Sequence, residues 1–327
     1  MLRLKPLEHV ARLVASDQPP ERRRMLMIVN PSASLMDARL SNLVVAALHG
    51  RYEVQAIDTQ ARGHATDLCR EAAHEGYDVV VAFGGDGTVN EVANGLCGSA
   101  TPLTCLPGGA TNALCRMVGI PGDVIDATQH LLRMADDWRP RRIDLGMVNG
   151  RCFTYTGGFG VDASVAKRID RQPELKQHRL REYYFVYAAI ETVLREYVRN
   201  PPRIDVHVGG EVEHAISTVV QNGDAFTYLD DKPLYLAPGA ALDSGTLAGV
   251  ALRGVRLRDI GTIALRLLSA KRSLAGHPQI RLFSDACELR CVSSDGRPIP
   301  LHVDGDHVGD VTEALFEVRP GALGVVS

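Results

Sequence analysis

The strongest chemical signal in this sequence is a glycine-rich segment that follows an apolar run. Residues 77–83 are rich in β-branched side chains and predict a buried strand, which ends at the run Gly84–Thr88. Glycine has no Cβ atom, so the backbone here can bend sharply and approach a ligand closely. Thr88 and Glu91 form a capping-box pattern, and apolar residues at helical spacing follow them. The free amides and the positive dipole end of such a helix are suited to binding a phosphate.

An acidic residue lies inside this phosphate-binding pattern. Asp86 would repel a phosphate unless a divalent cation lay between them, so its presence suggests Mg²⁺. A bare Gly-Gly turn is more often a simple strand–helix connection. The polar residues Asp86, Thr88, Asn90 and Glu91 favour a ligand site instead.

Two further loops and one strand end are predicted to meet the same edge of the sheet. Asn30 begins a polar turn after the apolar run 25–29, and the loop 106–112 follows the run 103–106. Thr59 comes directly after the alternating segment 52–58. Because each of these positions follows a strand of a predicted parallel sheet, all of them should emerge where open α/β proteins bind ligands.

The order of elements predicts an α/β fold with two domains. Strands alternate with helices over residues 25–145, which indicates a parallel sheet covered on both faces. Short apolar runs broken by Gly, Pro and Asp turns follow, including 234–237, 299–303 and 314–318, and they predict an antiparallel β-rich domain. We therefore divide the chain into a polar leader (1–24), a nucleotide-binding domain (25–144) and a β-rich domain (145–327).

Composition excludes several classes of protein. The 327 residues carry a formal net charge of −3, which argues against nucleic acid as the main partner. The apolar runs are too short to cross a bilayer, and the charged N-terminus lacks the apolar stretch of a secretory signal. Seven cysteines without a C-x-x-C pair indicate reduced thiols in a cytoplasmic protein.

Two common nucleotide-binding patterns do not account for the sequence. No G-x-x-x-x-G-K-[ST] motif occurs, so this is not a P-loop enzyme. The run Gly158–Ala163 matches G-x-G-x-x-A, but a helical pattern follows where a dinucleotide site needs a strand with an acidic end. We interpret that match as coincidental.

Taken together, the motifs resemble those of the diacylglycerol kinase catalytic-domain family, which includes bacterial lipid kinases and sphingosine and ceramide kinases. The GGDGT element alone is shared with NAD kinases and 6-phosphofructokinases. The order of the other motifs narrows the choice: Asn30-Pro31, Gly63-His-Ala65, Pro107-Gly-Gly, Ile143-Asp144-Leu-Gly146, Gly158-Phe-Gly-Val-Asp162, Pro238-x-Ala-x-Leu-Asp243-x-Gly245 and Val303-Asp-Gly-Asp306. These motifs extend over residues 25–327.

The resemblance implies a parallel-sheet nucleotide domain, a β-sandwich-like second domain, and ATP and Mg²⁺ in the cleft between them. It implies that Asp306 is the general base and that Asp162 contacts the lipid headgroup. Asp86 and Asp243 become candidate metal ligands, with Asp86 also in the catalytic set. The implied nucleotide-binding residues are Asn30, Thr59, Gly84, Gly85, Asp86, Gly87, Thr88, Val89, Asn90, Gly109 and Thr111.

The sequence departs from the family pattern at several positions. Asp306 is one methylene shorter than the family's usual glutamate, Ala113 stands where bacterial members often have Asp, and Ser34 replaces a usual Gly. Ser244 interrupts an element that is usually acidic. These changes affect the general base and the residues that form a structural Mg²⁺ site in some relatives.

The second domain also carries features with ordinary explanations. Asp304-Gly305 is a strong hairpin signal between the predicted strands 299–303 and 314–318. His64, His302 and His307 show no partner pattern and are interpreted as bystanders. The segments 166–199 and 260–271 are basic and partly amphipathic, which suits either an anionic membrane surface or an ordinary solvated helix face.

The leading functional hypothesis is an ATP- and Mg²⁺-dependent kinase of a lipid hydroxyl, with diacylglycerol as the leading acceptor. Kinases of a sphingoid base, of NAD or of a sugar are the enzymatic alternatives, because they share the nucleotide loop. A nucleotide- or lipid-sensing regulator without catalysis is the non-enzymatic alternative. We expect a cytoplasmic protein with peripheral contact at the inner membrane surface, and leave its oligomeric state open, with a homodimer as one option.

Overall fold

The computed structural model describes residues 22–33, 38–135, 137–171, 181–229, 232–267 and 274–327. The predicted leader up to residue 21 lies outside these ranges. So do Ser34, three basic residues of the two candidate membrane segments (Lys176, Arg179 and Lys271) and the adjoining Arg272.

The first lobe is built on four parallel strands with helices between them. The strands are β1 (Arg24–Val29), β2 (Glu53–Asp58), β3 (Val79–Gly84) and β4 (Leu103–Pro107). The helices are α1 (Ala38–Leu48), α2 (His64–Glu75), α3 (Asp86–Leu96), α4 (Ala113–Met117) and α5 (Val124–Met134). The strand order is β2-β1-β3-β4, and every residue of β3 is buried. A fully apolar central strand is typical of a parallel sheet covered on both faces.

The second lobe is mostly antiparallel. Its strands are β5 (Arg141–Val148), β6 (Arg151–Phe153), β7 (Thr156–Phe159), β8 (Ile204–Val208), β9 (Glu211–Ala215), β10 (Ser217–Gln221), β11 (Thr227–Leu229), β12 (Lys232–Leu234), β13 (Leu247–Leu252), β14 (Ile280–Ala286), β15 (Glu288–Ser293), β16 (Ile299–Val303), β17 (Asp306–Val311) and β18 (Glu313–Val325). Its helices are α6 (Val161–Asp170), α7 (Arg181–Thr192) with a wider π-helical turn (Val193–Tyr197), α8 (Leu257–Leu267) and a short 3₁₀ turn (Leu274–Gly276).

Two sheets face each other in the second lobe. One has the order β14-β13-β10-β7-β16-β17, and the other continues the first-lobe sheet through β18-β15-β8-β9, with β5 beside β18 and β6 beside β5. Apolar side chains from both sheets, among them Phe159, Val206 and Phe316, form one buried cluster between them. This arrangement confirms the predicted fold class, a parallel-sheet α/β domain followed by an antiparallel sandwich.

The last strand crosses the domain boundary placed at residue 144. β18 lies antiparallel to β5 and β15, and at its end Val325 pairs in parallel with Leu103 of β4. The backbone amide of Val326 also donates to the Leu103 carbonyl. Leu323 and Val325 are buried in the core of the first lobe. The division at residue 144 stays a prediction, and the first lobe includes the end of β18.

Three details of the predicted elements are wrong. The run 234–237 is not a strand, because the strand there is β12 and ends at Leu234. The Asp304–Gly305 turn joins β16 to β17, whereas 314–318 belongs to β18. The capping box is absent, because α3 begins at Asp86 after Gly85 and has no side-chain cap.

The side chains of the supposed capping box have partners elsewhere. Thr88 Oγ1 accepts a hydrogen bond from Asn30 Nδ2 at 3.0 Å. The Glu91 carboxylate accepts from the amides of Gly63 and Ala65 at 2.8 and 3.3 Å, at the start of α2. Glu91 therefore caps the neighbouring helix instead of its own. Among the described helices, none is long and apolar enough to span a bilayer.

Candidate active site

The carboxyl ends of the parallel strands meet at one edge of the sheet, as the sequence predicts. The amide of Asn30, just after β1, donates to the Phe83 carbonyl at 3.0 Å. On one side the Thr59 amide donates to the Val29 carbonyl at 2.8 Å, and on the other the Gly108 amide donates to the Gly84 carbonyl at 2.9 Å. These bonds bring the loops after all four strands together.

Close backbone contacts explain the glycines of the two central loops. A Cβ on Gly109 would collide with the Cα of Gly85, so the two loops touch backbone to backbone. A Cβ on Gly84 would collide with the Thr88 side chain. A Cβ on Gly87 would lie 2.7 Å from Oδ2 of Asp306. Glycine at 87 thus allows a carboxylate from the second lobe to lie against the first turn of α3.

Asp86 lies in the first turn of α3. Its Oδ1 accepts a hydrogen bond from the Ala113 amide at 2.6 Å, which ties the glycine-rich loop to the start of α4. Loss of solvent raises the pKa of Asp86 from its ordinary value of 3.8 to about 7, and the charges of Asp304 and Asp306 add to the rise. Three carboxylates from two lobes therefore repel one another at this edge.

Replacing Asp86 by asparagine should change how stability depends on pH. A raised native pKa makes the folded protein bind this proton more tightly than the unfolded chain does. The resulting stabilisation is fully present below pH 3.8 and is lost as the pH rises to about 7. Asp86→Asn keeps an acceptor for the Ala113 amide without the charge. In the presence of a chelator and without nucleotide, its free energy of unfolding should therefore exceed that of the wild type by a few kcal/mol near pH 8. Urea unfolding at several pH values measures this.

Asp243→Asn is the control for that measurement, because Asp243 is exposed. Plotted against pH, the free energies of unfolding of the wild type and of this control should have the same slope between pH 4 and 7. If the Asp86→Asn curve also has that slope, the repulsion between the three carboxylates is contradicted.

Asp304 fastens the two lobes together. Its buried carboxylate accepts five hydrogen bonds, of 2.8–3.1 Å, from Asn90 Nδ2, Thr154 Oγ1 and the amides of Thr154, Tyr155 and Thr156. Burial raises its pKa above the ordinary value, while these donors stabilise the ionised form. The hairpin motif seen in the sequence thus contains a buried polar junction.

The nucleotide-binding candidates occupy different environments. The Asn90 side chain is buried and its hydrogen bonds are all used, with Asp304, Arg151, Asn94 and the Cys152 carbonyl as partners. Its position favours a bridging role over a direct nucleotide contact. The side chains of Val89 and Thr88 are also buried. Thr59 and Thr111 are partly exposed at the sheet edge.

The amides at the start of α3 are the strongest candidates for phosphate contacts. The first intrahelical bond runs from the Val89 amide to the Gly85 carbonyl at 3.1 Å. The amides of Asp86, Gly87 and Thr88 precede it and have no acceptor within the helix. On the facing loop, the Asn112 side chain exchanges hydrogen bonds with the backbone of Gly109, at 2.9 and 2.8 Å. That exchange fixes the second glycine loop beside the first.

Asp162 has a buried partner that the sequence did not reveal. Its Oδ2 lies 2.6 Å from Nε2 of His302, and both side chains are largely buried. Burial opposes a charged imidazole, but Asp162, Asp304 and Asp306 together raise the pKa of His302 above its ordinary value. The interpretation of His302 as a bystander is therefore wrong, whereas the substrate contact of Asp162 stays a prediction.

The second candidate metal ligand, Asp243, lies in a loop that a buried carboxylate holds. Asp243 is exposed, whereas Asp144 of the neighbouring motif is buried and accepts from the amides of Gly245 and Gly321 at 2.6 and 2.7 Å. Asp144 thus organises the loop that carries Asp243. Within the described ranges, no three His, Cys, Asp or Glu side chains converge to hold a metal.

Asp86 nevertheless suits a magnesium ion that arrives with a nucleotide. Mg²⁺ takes oxygen ligands and usually binds through one or two carboxylates together with phosphates and water. Asp86 lies near two other carboxylates, and a divalent cation would reduce the repulsion between their charges. The residues therefore fit a phosphate-bound ion better than a cage made only of protein ligands.

Tyr155 is a further residue that sequence reasoning missed. It is buried, and burial together with the charges of Asp86, Asp304 and Asp306 raises its pKa well above the ordinary value. Tyr155 lies directly before β7, where no motif marks it. Only the spatial meeting of the three acids identifies it.

Comparison with known proteins gives consistent results. The family model of the diacylglycerol kinase catalytic domain matches residues 24–148. A diacylglycerol kinase of Bacillus subtilis (strain 168) is 34% identical over 257 residues, covering 75% of this chain and 79% of the relative. One of Staphylococcus aureus (strain Newman) is 33% identical over 298 residues, covering 88% and 87%. A solved structure of a diacylglycerol kinase from Bacillus anthracis str. Sterne has a TM-score of 0.71 at 21% identity, covers 93% of this chain and 96% of its own, and shows the same fold.

Proposed function

Because this chain belongs to the diacylglycerol kinase family and is a lipid kinase, we propose that it transfers the γ-phosphoryl group of ATP to the free hydroxyl of diacylglycerol, producing phosphatidic acid. One observation carries the assignment of the site. The Asp306 carboxylate lies against Gly87, in the first turn of the helix whose amides face the candidate phosphate position. The candidate proton acceptor and the candidate phosphate-binding helix end therefore lie side by side, as phosphoryl transfer to an alcohol requires.

Each group of the site has a distinct task in this proposal. The amides at the start of α3 and the two touching glycine loops hold the phosphates of the nucleotide. Asp306 accepts the proton of the lipid hydroxyl while the hydroxyl oxygen forms a bond to the γ-phosphorus. The bond from that phosphorus to the β,γ-bridging oxygen breaks, and ADP leaves. Mg²⁺ bound with the nucleotide would neutralise phosphate charge, and Asp86 is the residue that would hold it. Positioning and charge neutralisation supply most of the rate.

A panel of acceptors tests the proposal. The purified protein, γ-labelled ATP and Mg²⁺ are incubated with mixed micelles of dioleoylglycerol, ceramide or sphingosine, and separately with NAD or glucose. Label should appear in phosphatidic acid and be at least tenfold weaker in the other products. Predominant labelling of sphingosine, NAD or glucose would replace the proposed acceptor. Tight ATP binding with no transfer to any acceptor would favour a non-catalytic regulator.

We further propose that the protein works at the cytoplasmic surface of a membrane and touches it through α8. Leu257, Gly261, Ala264 and Leu265 of this helix are exposed beside Thr262, while Ile263 packs onto the lobe. Arg256 and Arg258 are exposed at its first turn. An exposed apolar face flanked by arginines is complementary to anionic lipid headgroups over an acyl layer.

Removing the two exposed leucines of α8 should weaken membrane binding. Burying one leucine contributes about 1.5–3 kcal/mol, so Leu257→Gln with Leu265→Gln should reduce binding to phosphatidylglycerol vesicles at least tenfold. Vesicle co-sedimentation at two salt concentrations measures the loss. Val212→Gln is the control, because Val212 is an exposed apolar residue on β9. Equal binding of the double variant and the control would exclude α8 as the contact.

A further inference from the structure

We infer that His302 is a positioning residue: by linking Asp162 to the Asp304–Gly305 turn, it fixes the direction in which Asp306 enters the cleft. This inference rests on the proposed role of Asp306. His302 lies on β16 opposite Gly158 of β7, two residues before the turn. It is 3% exposed and therefore does not present its ring to a substrate.

Both ring nitrogens of His302 are engaged. The Gly305 amide donates to Nδ1 at 3.3 Å, so Nδ1 must carry a lone pair. The ring proton then lies on Nε2, which donates to Oδ2 of Asp162 at 2.6 Å. A chain of hydrogen bonds thus runs from the first turn of α6, through the imidazole, to the amide that precedes Asp306. The carboxylate at its end selects the tautomer that the turn requires.

The turn needs external support because both of its residues have left-handed backbones. Asp304 has φ 47° and Gly305 has φ 83°, which are the angles of a two-residue hairpin turn. The five donors to Asp304 hold the first residue of the turn. His302 holds the amide of the second. Asp306 is the next residue. A rotation of the Gly305 peptide would therefore move the Asp306 carboxylate away from Gly87.

Stability alone does not explain the buried pair. Oδ1 of Asp162 is buried and finds no hydrogen-bond partner among the residues that the structure describes, which is a cost that a pair of apolar residues would avoid. The pair also restricts a third position, since a Cβ on Gly158 would collide with both Asp162 and His302. Three positions thus accommodate a contact that leaves one buried carboxylate oxygen unpaired, which points to a positioning role.

Two variants of His302 test the inference. Gln places an amide near the position of Nε2 and keeps a bond to Asp162, but it loses the acceptor for Gly305. His302→Gln should therefore fold, keep the KM for ATP within twofold, and lose about 100-fold in kcat, the size expected for a misplaced catalytic group. Asn places its oxygen near the position of Nδ1 but leaves Asp162 unpaired. The double variant His302→Asn with Asp162→Asn removes that charge, so exchange of its Gly305 amide in the free protein should stay within about threefold of the wild-type rate, because the new amide oxygen still accepts that hydrogen bond.

A measurement without substrate separates this inference from the proposed function. Hydrogen exchange of the Gly305 amide in the free protein should be at least tenfold faster in His302→Gln than in the wild type. His214→Gln is the matched control, because His214 forms an exposed pair with Asp205 at 2.7 Å on β8 and β9. Exchange and kcat both unchanged in folded His302→Gln would overturn the inference. If exchange is faster in His302→Gln but the wild type phosphorylates no lipid, the role of His302 in holding the turn is supported. Only the proposed function is then overturned.

Discussion

Replacing Asp306 with asparagine should reduce phosphoryl transfer to diacylglycerol by about a thousandfold and leave ATP binding nearly unchanged. An amide has the shape of the carboxylate and can still lie against Gly87, but it does not accept the hydroxyl proton. Removal of a general base costs about 10²–10⁴-fold in rate. Single-turnover transfer from labelled ATP measures the chemical step, and calorimetry measures ATP affinity.

Asp310→Asn is the matched control for this substitution. Asp310 lies on the same strand, β17, but contacts Lys167 and His307 instead of the glycine loop. The control should transfer at close to the wild-type rate. Asp306→Glu restores a carboxylate at a slightly longer reach and should recover part of the lost rate. Transfer by Asp306→Asn within threefold of the wild type would remove Asp306 from the mechanism.

Replacing Asp304 with alanine should lower the free energy of unfolding by about 3–5 kcal/mol. The substitution removes the acceptor of five hydrogen bonds and leaves buried donors from Asn90, Thr154, Tyr155 and Thr156 without it. Breaking a buried polar junction on one side costs an amount of this order. Urea unfolding, followed by fluorescence, measures the loss.

Glu313→Ala gives the comparison for Asp304→Ala. Glu313 forms an exposed ion pair with Arg290, and such pairs contribute about 1 kcal/mol or less. A loss as small as this in Asp304→Ala would show that the junction is replaceable. A loss of the expected size accompanied by reduced transfer would show that it also supports the cleft.

The parallel half of the fold was predictable because its signals are local. Apolar runs that end at asparagine, glycine or proline mark β1, β3 and β4, and parallel pairing then brings their ends together. The return of β18 to β4 was not predictable, since a strand pattern does not identify its partner. Val325 and Leu103 are far apart in the sequence, and their pairing depends on the packing of the whole molecule.

The candidate site shows the same contrast. The glycine loop and the acidic turn carry short motifs that the sequence displays directly. The apparent capping box misled because Thr88-x-x-Glu91 has the right spacing, yet Glu91 reaches the amides of another helix. His302 gave no signal, because its carboxylate partner lies 140 residues earlier in the chain. Buried polar pairs of this kind appear only when the strands are assembled.

The pairing of β18 with β4 has a consequence for synthesis on the ribosome. The edge of β4 acquires its neighbour only when residues 322–326 have emerged, although the other strands of that lobe appear within the first third of the chain. Until then the nascent protein presents an open, apolar strand edge, which is a template for unwanted pairing between chains. Early termination or proteolytic trimming before residue 322 should therefore produce aggregation instead of a smaller active kinase.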